Sequence, residues 1–152
     1  MTTLASAAPG LLAVAAALNA TASLAHVGVV IGGPSWYRFF GAGEGMARMA
    51  SSGSWYPPLI TLAIAAVLAL WTLYALSAAG AIVRLPYLRT VLVAVTAIYL
   101  LRGVAGFALA ALAPGGNSPA FWLWSSGICL VLGAVHALGL AGQWPLLSAA
   151  RA

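Results

Sequence analysis

The apolar positions of this chain fall into four long runs, 10–31, 57–79, 85–113 and 120–141, separated by polar or glycine-rich stretches. Each run is long enough to cross a hydrocarbon layer about 30 Å thick, which takes roughly 20 helical residues at ~1.5 Å apiece. The joints carry residues that start or stop helices. Gly32-Gly33-Pro34 follows the first run, Pro57-Pro58 opens the second, Gly80 closes it and Pro86 marks the opening of the third. Ser118-Pro119 reads as an N-cap with proline at the first helical position of the fourth. The pattern predicts an all-α, polytopic membrane protein, with four transmembrane helices in an up-down bundle forming a single domain over 1–152.

The polar residues inside these runs are not scattered. Asn19, Ser23 and His26 recur at helical spacing in the first span. Thr96, Tyr99, Arg102 or Gly103, and Gly106 do so in the third. Such faces are expected to turn away from lipid, toward the bundle interior. Arg102 dominates this picture, because it lies about sixteen residues into its run and about eleven from the end, well inside the membrane by helix rise. Three readings are open for it: contact with an anionic or polar ligand, an internal structural pairing, or a shorter span whose arginine snorkels to the interface.

Counting down from the long-connection side puts His26 about five residues deep, Asn19 about twelve and Arg102 about eleven, so Asn19 and Arg102 share a layer roughly 15–18 Å down. Ser125 and Ser126 lie nearer that side, and His136 nearer the opposite one. Gly28 and Gly32 have the spacing of a small-residue helix contact or of a break into the loop. Gly103 and Gly106 flank Arg102 and leave room for its side chain or for a neighbouring backbone.

The connection 32–56, GGPSWYRFFGAGEGMARMASSGSWY, is too polar for a fifth span and too aromatic for a disordered linker. Its tryptophans, tyrosines, phenylalanines and methionines suit the headgroup layer or the mouth of the bundle, and a loop this long points to function. Trp36, Trp55, Tyr56, Tyr87, Trp122 and Trp144 all fall near span ends, as an aromatic belt requires.

Composition agrees: 64% of residues are hydrophobic and mean hydropathy is +1.07. The formal charge of +5 comes from six arginines against Glu44, with no lysine, which is too sparse a basic surface for nucleic acid. Arg84, Arg89 and Arg151 on the terminal side outnumber Arg38 and Arg48 on the loop side, which favours cytoplasmic termini and an outside loop in a bacterial inner membrane. The first run, which lacks a positive leader, reads as a retained span rather than a cleaved signal. Cys129 stands alone, so no internal disulfide or paired-thiol redox site can form.

No metal motif or cofactor signature is present, and the two histidines lie at different depths. The lack of an acid in the first span and of cysteine pairs also separates the chain from four-span small multidrug exporters and from quinone-linked disulfide enzymes. The candidate ligand-binding set is Arg102, His26, Asn19, Tyr99, Glu44, Arg38 and Trp36, roofed by the long connection. The leading expectation is binding or passage of a small amphipathic or anionic molecule, possible sources including lipid. One alternative is an intramembrane enzyme using His26 and Glu44 for proton transfer, with Arg102 stabilising negative charge. The other is an accessory subunit, with a homo-oligomer or a membrane partner completing the arginine's pairing.

Overall fold

The computed structural model describes residues 2–112, 117 and 119–149. Its elements in order are α1 (Thr2–Phe39), α2 (Glu44–Ser51), α3 (Tyr56–Ala78), α4 (Leu88–Leu112) and α5 (Pro119–Ala149). Among the described residues, α1, α3, α4 and α5 are each long and apolar enough to cross a membrane, and they pack as an up-down bundle. The chain is an integral, polytopic membrane protein. Ser118 as N-cap, Arg151 in the charge count, Ala113 at the end of the third run and residues 114–116 of the connection after it lie outside the described residues.

The helices outrun the apolar runs at both terminal-side ends. α1 begins at Thr2 rather than Gly10, and α5 continues past Ala141 and through Pro145 to Ala149. The reason is mutual packing: Gly142 of α5 sits against Leu4 and Ala8 of α1, and Gly139 against Leu12, with no room for a Cβ at either glycine. The third helix starts late, at Leu88. Residues 85–87 belong to the turn, where the Leu85 N–H donates to Ser77 Oγ (2.9 Å) and the Tyr74 hydroxyl to the Pro86 carbonyl (3.3 Å).

α3 packs along α1, α4 along α5, and α1 on α5, while α3 and α4 touch least of the four neighbouring pairs. The α4–α5 seam is built on small residues. Gly103 receives Leu130, Gly133 receives Leu100, and Gly106 faces Ser126, so the two helices lie in close antiparallel register. On the terminal side Leu12, Leu88, Leu92, Leu140 and Leu147 close a solid apolar core. The loop-side half is built differently.

There α1 breaks at Gly33 (φ 64°, ψ −148°), a left-handed backbone that a side chain would strain, and Pro34 follows where a helix cannot simply continue. The helix resumes over 34–39 in a new direction. Trp36 folds back onto the face left bare by Gly28 and Gly32, where a Cβ at Gly32 would overlap its ring. The small-residue pair thus seats an aromatic of the same chain. The turn also drives Tyr37 inward to 1% exposure, against Val29 and Ala47. Gly41 (φ 76°) then ends the segment, with its N–H on the Arg38 carbonyl and the Ala42 N–H on that of Tyr37. A Cβ at Gly41 would enter the Phe121 ring, so the loop is pressed onto the start of α5. Within the long connection α2 lies with Ala47 buried and Glu44 and Arg48 exposed. The connection is a folded cap over the bundle.

Candidate functional site

Beneath that cap is a cavity of about 620 Å³. Val29, Tyr37, Phe40 and Met46 form its roof, and Ile60, Ile64 and Leu68 of α3 one wall. Ser125, Ile128, Cys129 and Leu132 of α5 form another, and the polar groups admitted to it include His26, Tyr37, Tyr56, Thr61, Tyr99, Arg102 and Ser125. This is the usual make-up of a small-molecule site, mostly apolar with a few placed polar groups.

Arg102 leaves α4 one turn above Tyr99. The α4–α5 register puts Arg102 level with the residues just past Leu130, yet its guanidinium bonds Ser125. The side chain therefore runs up the seam toward the loop end, as a snorkelling arginine does, but inside the protein. Its Nη2 donates to Ser125 Oγ (3.2 Å), and its Cζ lies 5.0 Å from the centre of the Trp122 ring. Gly106 makes the passage possible, since a Cβ there would meet both Nη1 and Ser126 Oγ. Nη1 is buried and has no hydrogen-bond partner among the described residues, and the same holds for the Tyr37 hydroxyl. Buried donors in folded proteins are normally paired, so two unpaired donors on residues lining one cavity call for explanation.

Asn19 forms part of the floor's support rather than the cavity wall. Its Nδ2 donates to His136 Nε2 (3.2 Å), and its Oδ1 accepts from the Tyr99 hydroxyl (2.8 Å). His136 Nδ1 donates to the Leu132 carbonyl (2.8 Å), which makes the ring the neutral tautomer with Nε2 as acceptor. The Tyr99 ring is held between Trp71 and His136, with centroids 5.1 and 5.5 Å away. His26 is half-buried at the cavity wall, with Nδ1 bonded to the Ala22 carbonyl at 2.7 Å, which leaves Nε2 as its second polar atom. Ser23, the remaining polar residue of that face, donates to the Ala65 carbonyl of α3 (2.8 Å).

Glu44 is placed elsewhere. Arg38 grips it in a two-point contact (2.8 and 3.0 Å), and Arg48 approaches at 3.4 Å, with all three exposed. These contacts, the hydrogen bond from Arg38 first, hold the Glu44 carboxyl below its ordinary value of 4.5. The single acidic residue of the sequence is thus occupied by two arginines other than Arg102. Trp36 remains 45% exposed on its glycine seat, and neither it nor Arg38 lines the cavity.

The structure therefore brings Arg102, His26 and Tyr99 to one cavity, puts Asn19 directly below, and leaves Glu44, Arg38 and Trp36 on the cap. His136 joins Asn19 because one helical turn of depth is within reach of two medium side chains. A signal for the α5 wall was present in the sequence: Trp122, Ser125, Cys129, Leu132 and His136 follow three-and-four spacing along one helix face. Tyr37 had no such signal, since its burial follows from the Gly33 break. Among the described residues, no three His, Cys, Asp or Glu side chains gather as a metal ion would need. Comparison with protein-family models, with curated proteins and with solved structures gives no match to this chain.

Proposed function

We propose that this protein binds a small amphipathic molecule with an anionic head in the cavity beneath the cap. The observation that carries the reading is the buried Arg102 Nη1, an unpaired donor on a cationic group lining a mostly apolar cavity. Within a bilayer such a group is costly unless an anion or a dipole meets it, and an oxyanion meets a guanidinium with geometric fit. Ser125 and Trp122 hold the guanidinium in place, the Tyr37 hydroxyl is a second donor, and the aliphatic walls suit an alkyl body. The engagement of Glu44 by Arg38 and Arg48 supports binding over proton transfer between His26 and Glu44. Arg84 and Arg89 against Arg38 and Arg48 are even in number, so the placement of the termini in the cytoplasm of a bacterial inner membrane rests on Arg151.

The test is native mass spectrometry of the chain purified in mild detergent. The wild type is expected to retain a low-mass anionic amphiphile, and Arg102→Leu to lose it while keeping its helical content. Equal retention by the variant overturns the reading.

A further inference from the structure

The seam between α3 and α4 is the least packed of the bundle, and a second hollow of about 350 Å³ lies in it. Ala63, Val67 and Ile98 form its outer lips, and the last two are 45% and 49% exposed on the face that lipid would cover. Its inner wall is Ile64, Leu68, Tyr99, Arg102 and Cys129, and all of these also line the cavity under the cap. The two hollows therefore back onto the same side chains, with the aliphatic stem of Arg102 facing the outer one.

We infer that the α3–α4 seam is a lateral portal, through which the ligand passes from the bilayer. Its occupant is a lipid with one long alkyl chain and an oxyanion head, the head on Arg102 and the tail lying out between Val67 and Ile98. This rests on the binding reading above and adds the source and the shape of the ligand. The cap narrows the route from water. Gly41 is pressed on Phe121 without space for a Cβ, Tyr37 is fully buried, and Trp36 is seated on Gly28 and Gly32. The α3–α4 lips, by contrast, are aliphatic and match acyl chains, so an alkyl tail left in the groove stays in hydrocarbon throughout.

The test uses the full chain in phosphatidylcholine vesicles with three probes, each carrying a diazirine at the sixth carbon from the head: palmitic acid, a hexadecyl phosphate and hexanoic acid. Irradiation should place the long-chain label on Ala63, Val67 or Ile98, at least tenfold above the hexanoate label, with the stronger of the two long probes naming the head group. Arg102→Gln should lower that yield at least tenfold, and Ser125→Ala severalfold if the arginine variant does not fold. Ile98→Trp, which narrows the groove at a residue outside the cavity lining, should lower long-chain labelling severalfold in a protein of unchanged helicity. Arg102-dependent label found on Phe40, Met46 and Tyr56, or equal labelling by hexanoate, overturns the portal and leaves the binding reading standing. Labelling indifferent to Arg102 and Ser125 overturns both.

Discussion

The Tyr99 hydroxyl donates to Asn19 Oδ1 at 2.8 Å, and this bond joins α4 to α1, which lie diagonally across the bundle. With His136 on α5 accepting from the other end of the same amide, a three-residue chain ties three spans at mid-depth, all of it buried. It forms the polar layer on which the cavity stands.

Removing the hydroxyl by Tyr99→Phe strands Asn19 Oδ1 away from water, and an unpaired buried acceptor costs about 1–3 kcal/mol. The protein should unfold at a lower denaturing-detergent concentration by an amount in that range. Asn19→Leu combined with Tyr99→Phe should destabilise by less than the sum of the single changes, because the two residues share one bond. A double variant that shows strict additivity would deny the coupling.

Gly106→Ala should act on stability and on the ligand together. The added methyl group meets Ser126 Oγ and Arg102 Nη1, so the α4–α5 seam must open and the guanidinium must shift. Overpacking of this kind costs about 1–3 kcal/mol. Gly45→Ala is the control, with nothing within reach of its Cβ, and should be neutral or mildly stabilising to α2. Thermal melts of the two variants with native mass spectra read out both effects.

Trp122→Leu should weaken ligand retention severalfold while the fold persists. The ring faces the Arg102 guanidinium at 5.0 Å and steadies its charge, at a value of roughly 0.5–2 kcal/mol for such contacts. Arg102→Lys should retain less ligand than wild type, since an ammonium does not reproduce the planar fork. Competition binding with the palmitate probe measures both; retention at the wild-type level in Trp122→Leu would remove the ring from the account.

The Arg38–Glu44 clamp should respond to acid. Because the folded carboxyl titrates below its ordinary value, the clamp's contribution is full above the ordinary carboxylate range and is lost as pH falls through the lowered value. The Arg38 Nε–H resonance should therefore shift with a midpoint below 4.5, and should not titrate in Glu44→Gln. At neutral pH that variant should unfold like wild type, because exposed ion pairs add little.

Much of this architecture could be read from residue order. The spans, the break at Gly32-Gly33-Pro34, the stop at Gly80 and the inward polar faces of α1 and α4 follow from hydropathy and helical spacing, which are local properties of a chain in lipid. The lengths of the helices were less legible, because the contacts of Leu4 and Ala8 with Gly142 that extend α1 and α5 join distant parts of the chain.

Sequence by itself determined that this chain crosses a membrane as four helices, because long apolar runs satisfy their backbone polar groups in hydrocarbon that way, and it left open whether Arg102 lies among them or reaches the interface. Only the tertiary structure decided whom that arginine meets. It gave Glu44 to Arg38 and Arg48, Asn19 to Tyr99 and His136, and Arg102 to Ser125 and Trp122. Such pairings depend on a rotation about the helix axis, the register of one seam and a single kink at Gly33, and each of these is set by packing between residues far apart along the chain.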